Sequence, residues 1–448
     1  MKKVITYGTF DMLHYGHINL LKRAKELGDY LIVGVTTENF DMTRGKLNIT
    51  ESLMDRMQAV IDTGYADEVI AEEYEGQKID DIIKYDIDIF TVGSDWEGYF
   101  DYLREYCDVI YLERTKGISS TQIRKERQYI KLGIIGWDSV LMKKIAEESK
   151  YVSGMHLEGV LLDDESEQFS SEIDKVMPCL SEKIFFESVD AVYIYASPVR
   201  RYTYIKKAIL QQKHVLCATP IALREQEAKE LYQLAKENGV ILYDAIKTAS
   251  FPAFNRLVLL AKSGIVGEIK SVDVTCTSLV QNNRWDRDRK AYGGSMTSWG
   301  PFALLAVFSL LGIKYQHVDY VSYMDLEKGF DLFTKMNLVY DNALADIKVG
   351  IGVKAEGDLI ISGTKGYIYV PSPWWKTDYF EVRYENFTNN RRYFYQLPGE
   401  GLRYVFADFM KYITCVKNPH LKVSPELSQA ICNIMEDFYK GDNTTIIG

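Results

Sequence analysis

Short apolar runs rich in β-branched residues alternate with longer amphipathic stretches over the first part of the chain. Such runs, flanked by turn residues, are typical of buried strands. They are predicted at residues 4–6, 30–36, 67–70, 87–93 and 109–112, with helices between them. Strands that alternate with helices form parallel sheets, with ligands at the carboxyl ends of the strands. We therefore predict a doubly wound α/β domain over residues 1–127.

The same alternation then begins again, and it later changes character. Strands are predicted at residues 129–137, 157–164, 191–198, 214–217 and 240–244, which indicates a second, Rossmann-like parallel domain over 128–250. From there, apolar and polar residues alternate at 271–277, 333–339 and 343–349, a pattern typical of half-buried antiparallel strands. A hairpin is predicted over 357–370 and helices at 401–416 and 425–439. Residues 251–448 are thus predicted to form an α+β domain with an open antiparallel sheet.

Composition excludes several classes of protein. The 448 residues are 47% hydrophobic and carry a formal net charge of −10, so we expect a soluble protein that is no general nucleic-acid binder. Six scattered cysteines without a C-x-x-C pair argue against a zinc site or a disulfide framework and fit a reducing cytoplasm. No apolar run approaches the roughly 20 residues needed to span a bilayer, and no cleavable leader is visible. We therefore expect a cytoplasmic protein without membrane insertion.

Candidate chemistry is concentrated at the end of the first predicted strand. Gly8 and Thr9 place a glycine and a hydroxyl where the backbone can approach a ligand, and His14 and His17 flank Gly16 at the start of a helix. Backbone N–H groups and the helix dipole favour a phosphate there. An alternative is a polar helix entry with two incidental histidines, but the chain has only six histidines. We interpret residues 8–17 as the site where a nucleoside triphosphate is attacked at its α-phosphorus.

Two later motifs narrow this interpretation. The stretches GSDWEGYFDYL and YLERTKGISSTQIR lie at the ends of predicted strands, as YGTFDMLHYGHINLLKRAKELGDYL does, and the three are spread over nearly the whole of residues 1–127. Together they resemble the glycerol-3-phosphate cytidylyltransferase family. The resemblance implies that CTP and a polyol phosphate are converted to a CDP-polyol and pyrophosphate. It also implies Mg²⁺ on the triphosphate with few protein ligands, and no dedicated metal site.

The resemblance also implies roles for individual residues. The catalytic set would be His14, His17, Lys46 and Arg114. The nucleotide would contact Gly8, Thr9, Phe10, Gly16, Asp95, Trp96, Thr115, Ser119, Ser120 and Thr121, and the acceptor would contact Asp11 and Arg56. Two alternatives stay open: core packing for Trp96, and an ordinary surface charge for Lys46, because the loop at 41–49 departs from the family pattern.

The remaining residues, 128–448, resemble the Gfo/Idh/MocA oxidoreductases, which are NAD(P)-linked enzymes of sugars and polyols. The stretches VDAVYIYASPVRRYTYIKKAILQQKHVLCATPIAL, SGIVGEIKSVDV and YGGSMTSWGPFALLAVFSLLG carry this resemblance. It implies a possible NAD(P) site at Gly133, Gly136, Asp163, Ser197, Pro198 and Lys247. Lys247 is either a substitute catalytic cation or a solvated lysine. The aromatic residues Trp374, Trp375, Tyr379 and Phe380 are either core packing or the wall of a ligand site.

The chain departs from this second family at its chemical positions. Only two glycines of G-x-G-x-x-G remain, and Trp137 follows them. Thr219 replaces the lysine of E-K-P, Phe302 replaces the histidine of D-x-G-x-H, and Tyr202 replaces a further histidine. Two hypotheses follow: an active NAD(P)-dependent reductase that makes the polyol phosphate, or a non-catalytic dimerisation or ligand-sensing scaffold. We expect a homodimer or higher homo-oligomer. The product is expected to be used in surface polymers such as teichoic acid or capsule. The sequence does not say which polyol phosphate, glycerol 3-phosphate or a longer alditol phosphate, is the acceptor.

Overall fold

The computed structural model describes the chain except for residues 14, 44–48, 50, 75, 114–128, 153, 164–176, 179–180, 280–284 and 415–420. The described residues divide into two compact units, Met1–Tyr129 and Ile130–Gly448.

The first unit is built on a five-stranded parallel sheet. Its strands are β1 Lys3–Gly8, β2 Tyr30–Thr36, β3 Glu68–Glu72, β4 Ile89–Gly93 and β5 Asp108–Leu112. Its helices are α1 Tyr15–Lys25, α2 Glu38–Thr43, α3 Leu53–Asp62 and α4 Gln77–Tyr85. The order β3-β2-β1-β4-β5, with every pairing parallel, confirms the predicted doubly wound α/β fold.

Apolar side chains buried on both faces stabilise this sheet. Six of the seven residues of β2 are buried, as the unbroken apolar run in its sequence predicts for a strand covered by helices on two sides. The strand order reverses between β1 and β4, so a crevice opens at their carboxyl ends.

The second unit contains a six-stranded parallel sheet in the order β11-β10-β9-β6-β7-β8. Its strands are β6 Ile130–Ile135, β7 Met155–Leu161, β8 Met177–Pro178, β9 Ala191–Ile194, β10 His214–Cys217 and β11 Leu242–Asp244. Its helices are α5 Ser139–Ser149, α6 Glu182–Ser188, α7 Pro198–Leu210 and α8 Glu225–Glu237. This is the Rossmann-like arrangement predicted from the sequence.

A nine-stranded sheet completes the second unit in the order β19-β18-β17-β16-β12-β15-β14-β13-β20. The strands are β12 Ile269–Thr277, β13 His317–Asp325, β14 Phe330–Val339, β15 Leu344–Gly350, β16 Leu359–Gly363, β17 Tyr367–Val370, β18 Tyr379–Arg383, β19 Arg391–Phe394 and β20 Thr444–Ile447. The accompanying helices are α9 Pro252–Lys262, α10 Ser295–Leu311, α11 Leu402–Thr414 and α12 Pro425–Lys440.

This sheet is mixed, whereas the sequence predicted antiparallel strands. Most pairs are antiparallel, but β12 runs parallel to β15 and β13 runs parallel to β20. The chain can return in the same direction because α10 and the β13–β14 hairpin intervene between β12 and β15. The sequence prediction also omitted β13, β18, β19 and β20.

Helix α10 explains one apolar stretch. Among the described residues, only Arg289–Leu311 is long and apolar enough to cross a membrane, and 72% of its apolar window is buried inside the protein. The helix packs against β12, β15 and α12. A single buried helix of this kind is weak evidence for a membrane span.

Candidate functional site

The crevice of the first unit lies where β1 and β4 end. A cavity of about 40 Å³ opens there, lined by Tyr7, Gly8, Thr9, Lys78, Phe90, Val92, Trp96 and Phe100. The Trp96 ring lies 5.9 Å from the Phe100 ring and 5.4 Å from the Tyr99 ring, measured between centroids. Trp96 therefore packs within an aromatic cluster and also forms part of the cavity wall. Asp95, beside it in the short 3₁₀ helix Ser94–Trp96, is exposed.

The loop that follows β1 has a strained backbone. Phe10 and Met12 both have a φ of 52°, a conformation that residues with side chains rarely adopt. Between them, buried Asp11 accepts a hydrogen bond from the Glu51 backbone N–H (3.1 Å), and the Met12 N–H donates to the Glu51 carboxylate (2.8 Å). Strain of this kind persists only where the surroundings hold the backbone, and it is concentrated at functional sites. The loop leads into α1, where the His17 ring lies edge-on to Phe10.

Arg56 holds this loop from beneath. Its side chain is fully buried, and its guanidinium donates to the backbone carbonyls of Thr9 (2.8 Å), Thr36 (2.8 Å) and Glu51 (3.1 Å). Its remaining nitrogen lies 3.5 Å from the Glu38 carboxylate. Arg56 is therefore a positioning residue that ties together the ends of β1 and β2. Its contact with an acceptor phosphate stays a prediction.

Two residues at this crevice were missed by the sequence reasoning. Buried Asp41 accepts hydrogen bonds from the hydroxyls of Thr9 (3.1 Å) and Thr36. Lys78, on α4, lines the cavity with its side chain only 9% exposed; it pairs with Glu72 and lies 4.5 Å from the centre of the Tyr7 ring.

A polar pattern on α4 was the available signal for Lys78. Gln77, Lys78 and Asp81 are all buried on this helix, and Lys78 and Asp81 are three residues apart, so they share a face. The Tyr7 hydroxyl donates to Asp81 (2.8 Å), and burial together with this carboxylate raises the pKa of Tyr7 far above its usual value. Charged residues on the face of a helix that packs against a sheet point to a polar site beneath it.

The remaining predicted residues of the first unit are only partly described. The described ones lie at or after the ends of β1 and β4, at the crevice edge of the sheet. They are Gly8, Thr9, Phe10, Asp11, Gly16, His17, Asp95 and Trp96. His14, Lys46, Arg114, Thr115, Ser119, Ser120 and Thr121 lie outside the described residues. Within the described part of the chain, no three His, Cys, Asp or Glu side chains are grouped to hold a metal ion.

The second unit contains a much larger cavity, of about 940 Å³. Its lining includes Asp138 at the start of α5, Thr219 after β10, Lys247 after β11, and Trp299, Phe302 and Trp375. Thr219 and Phe302 occupy the positions where the resembled oxidoreductases carry a lysine and a histidine. Neither side chain is an acid or base at neutral pH.

The turn before α5 still requires a glycine, as a dinucleotide-binding turn does, but a carboxylate now stands where such a turn would bind an anion. Gly136 has a φ of 99°, and a Cβ there would lie 2.0 Å from the Tyr195 carbonyl oxygen, so only glycine fits. Asp138 caps α5 by accepting a hydrogen bond from the Leu141 N–H (2.7 Å). Its carboxylate thus stands where a pyrophosphate would bind, and the two negative charges would repel. Trp137, only 9% exposed, fills the turn.

The other predicted dinucleotide residues have structural contacts. A Cβ on Gly133 would lie 2.5 Å from the Phe185 ring, so this glycine serves close packing of α6 on the sheet. Asp163 is buried, and its carboxylate lies 3.0 Å from the Arg200 guanidinium. Ser197 is the residue before α7, and Pro198, the first residue of α7, lines the cavity. These contacts do not by themselves indicate a pyrophosphate site.

Lys247 is part of a charged cluster. Its ammonium donates to the Glu400 backbone carbonyl (3.2 Å), while the Glu400 carboxylate lies 3.0 Å from the Lys376 ammonium and 3.5 Å from that of Lys144. Burial, reinforced by the positive charge of Lys376, lowers the pKa of Lys247 to about 8. Beside the cluster, the rings of Trp299 and Trp375 lie 4.8 Å apart.

Comparisons with known proteins agree with the two-part organisation. Residues 5–126 match the family model described as cytidylyltransferase-like, and residues 130–245 match the model of the oxidoreductase family with an NAD-binding Rossmann fold. The chain is 54% identical over 127 residues to glycerol-3-phosphate cytidylyltransferase of Bacillus spizizenii, covering 28% of this chain and 97% of that protein. It is 52% identical over 126 residues to the Staphylococcus aureus enzyme, covering 28% and 95%.

Solved structures show the fold of the second unit. The 3-ketoreductase KijD10 of Actinomadura kijaniata, in complex with NADP and TDP-benzene, superposes with a TM-score of 0.62 at 16% identity. The superposition covers 72% of this chain and all of that one. At this identity the similarity establishes the fold of the second unit and not its chemistry.

Proposed function

Because the chain belongs, through its first unit, to the glycerol-3-phosphate cytidylyltransferase family, we propose that it transfers a cytidylyl group from CTP to a polyol phosphate. The observation that carries this proposal is the match to two glycerol-3-phosphate cytidylyltransferases, which this chain covers over 97% and 95% of their length. The crevice between β1 and β4 supports it, because Gly8, Thr9 and Trp96 line its cavity.

The reaction needs no protein nucleophile. An oxygen of the acceptor phosphate attacks the α-phosphorus of CTP, the bond between the α-phosphorus and the bridging oxygen breaks, and pyrophosphate leaves. Catalysis then consists of positioning and of stabilising the negative charge that develops on the phosphate oxygens. We expect CTP to arrive with Mg²⁺, which would neutralise part of the triphosphate charge.

The residues of the crevice have separate tasks in this proposal. His17 at the start of α1, with His14 and Arg114, donates hydrogen bonds to phosphate oxygens. Trp96 forms one wall of the cytosine pocket. Lys78, paired with Glu72, forms part of the polar wall of the cavity. Arg56 and Asp41 hold the loop of Thr9 in place.

The experiment measures pyrophosphate release by the full chain with CTP and either glycerol 3-phosphate or a five-carbon alditol phosphate. We expect turnover with at least one acceptor, and a loss of about 10²–10³-fold in His17→Ala, because one transition-state hydrogen bond is removed. His156→Ala is the matched control, since that histidine is half-exposed on β7 of the second unit. Full activity in His17→Ala would overturn the assignment.

We infer that the second unit does not carry out hydride transfer. Thr219 and Phe302 provide no acid or base, and the Asp138 carboxylate opposes a dinucleotide pyrophosphate. Titration with NADPH, followed by its fluorescence, is expected to show no saturable binding. Tight binding together with NADPH oxidation in the presence of a keto or aldose phosphate would favour the alternative, a reductase that makes the polyol phosphate.

The outer face of the nine-stranded sheet supports self-association. Val321 and Tyr323 on β13, Leu344 on β15 and Ile447 on β20 are all at least 38% exposed, and the strand register places Ile447 opposite Tyr323. We propose a homodimer through this face. The mass in solution, measured by light scattering, should fall from dimer to monomer in Val321→Glu.

The product also indicates its use. A CDP-activated polyol phosphate is a donor for polymers whose units are joined by phosphodiesters. We propose that such a surface polymer, of the teichoic acid or capsule type, receives the polyol phosphate.

A further inference from the structure

The second unit concentrates positive charge in its large cavity. Among the described residues, five basic and three acidic side chains line the cavity, in a chain whose overall formal charge is −10. Of the basic side chains, buried Arg201 donates to the carbonyls of Ala196 and Pro220 and so is occupied within the fold. Lys354 donates to the Thr277 carbonyl (3.2 Å). The other three are Lys144, Lys247 and Lys376.

These three lysines, which we call the lysine cluster, converge from distant parts of the chain. Lys144 is on α5, Lys247 begins the 3₁₀ helix Lys247–Ser250 after β11, and Lys376 ends the 3₁₀ helix Trp374–Lys376. All three ammonium groups lie within 3.5 Å of an oxygen of Glu400. The Glu400 carboxylate faces two of these cations and its backbone carbonyl accepts from the third, so the cluster keeps a net positive charge.

The surrounding structure keeps the cluster in place. The Glu400 backbone N–H donates to Glu148 (3.3 Å), and Glu148 forms two hydrogen bonds of 2.9 Å with the Arg403 guanidinium. The Thr248 hydroxyl, next to Lys247, donates to the Trp375 carbonyl (2.8 Å). A binding site needs side chains that are held in this way by a second layer of contacts.

We propose that the lysine cluster binds the phosphate of a phosphorylated sugar or polyol whose carbon chain lies against Trp299 and Trp375. Three ammonium groups gathered around Glu400, with a single carboxylate among them, match a phosphomonoester, which carries a charge between −1.5 and −2 near neutral pH. The cavity of about 940 Å³ leaves room for more than a phosphate, and the paired indole rings offer an apolar wall beside the charges.

This site is separate from the crevice of the first unit, since every residue that lines it belongs to Ile130–Gly448. Its ligand is of the same chemical class as the proposed acceptor, and to that extent the choice of ligand rests on the proposed function. The second unit would then sense or hold a phosphorylated metabolite without converting it.

The test is a lysine-labelling footprint of the full chain. Reductive methylation is followed by peptide mass spectrometry with and without glycerol 3-phosphate, while pyrophosphate release is measured in the same preparation. We expect the labelling of Lys247 and Lys376 to fall several-fold, and that of Lys365, exposed in the β16–β17 turn, to stay unchanged. Glycerol, which lacks the phosphate, should protect neither lysine.

Two variants localise the effect. In Lys376→Gln, the concentration of glycerol 3-phosphate that half-protects Lys247 is expected to rise at least tenfold. Lys144→Gln changes a half-exposed position and so carries little risk to folding. Both should keep CTP turnover. Absence of protection would overturn the site, as would protection that survives both substitutions. Equal protection by glycerate would overturn the phosphate assignment. Since CTP turnover is measured separately, loss of the proposed transferase function is distinguishable from failure at this site.

Discussion

Arg56 and Asp244 are both fully buried charged side chains, but their surroundings treat the two charges differently. Arg56 has three carbonyl partners and a nearby carboxylate. Asp244 accepts a hydrogen bond from the Ser428 hydroxyl (2.6 Å), yet burial raises its pKa to about 6. Three hydrogen bonds and a nearby carboxylate offset the burial of the first charge, whereas burial of the second lowers stability at neutral pH.

Replacement of Arg56 tests its positioning role. Arg56→Lys keeps the charge but cannot reach three carbonyls at once, so we expect a loss of about 3 kcal/mol in the free energy of unfolding of the first unit. CTP turnover should fall as well, because the loop of Thr9 loses its support. Urea unfolding and pyrophosphate release measure the two effects. Arg104→Lys, at an exposed position, should change stability by less than about 0.5 kcal/mol.

The pKa of Asp244 predicts a pH-dependent gain from Asp244→Asn. A raised carboxyl pKa means that the folded state favours the protonated form, so stability is lost as pH rises through about 6. A shift of roughly two pKa units corresponds to about 3 kcal/mol at pH 7.5. Urea unfolding should show that Asp244→Asn recovers much of the lost free energy of unfolding at pH 7.5 and little at pH 4.5. An equal change at both pH values would contradict the argument; Asp319→Asn, half-exposed, is the control.

At the scale of elements, α5 shows how one helix serves both the fold and the cavity. Its first residues face the cavity behind the Asp138 cap, and at its other end Glu148 is buried against Arg403 of α11. The hydrogen bonds of Arg403 to Glu148 outweigh desolvation and lower the pKa of that carboxyl. The helix is thus fixed at both ends, and this fixes the position of Lys144 between them.

The cap of α5 gives a prediction for this element. Asp138→Ala should cost about 1 kcal/mol because the Leu141 N–H loses its partner, whereas Asp138→Ser keeps a capping oxygen and should be nearly neutral. Since Ser also removes a negative charge from the cavity, it should strengthen protection of the lysine cluster by glycerol 3-phosphate. Thermal unfolding and the labelling footprint provide the measurements. If both substitutions lowered the melting temperature equally, the cap hydrogen bond would not be the source of the stabilisation.

The whole molecule consists of two units with separate cores, and this predicts separable activities. Curated relatives of the first unit are matched over 95–97% of their length, so the unit resembles a complete protein. Residues 1–129 alone should fold and retain CTP turnover comparable to that of the full chain. Circular dichroism and pyrophosphate release test this. A folded fragment without turnover would show that the second unit contributes to the reaction.

The fold was predictable wherever a periodic pattern covered a whole element. Strands β2 and β9 of the two parallel sheets follow unbroken apolar runs because helices bury both of their faces. Strand β13 was missed although its residues alternate between exposed and buried, because the alternation is carried partly by tyrosine and serine rather than by aliphatic residues. The parallel pairing of β12 with β15 was not predictable, since it depends on where a distant hairpin folds back.

The sequence by itself predicted the family of the first unit, because its motifs are local. Gly8, Thr9 and His17 lie close together in the sequence at the end of β1, and the strand–turn–helix geometry brings them to one edge of the sheet. Only the tertiary structure decided the contacts of Arg56, Lys78 and the lysine cluster. Their partners are separated from them by up to 256 residues along the chain, as Lys144 is from Glu400, and contacts between such distant positions arise only when helices and sheets pack.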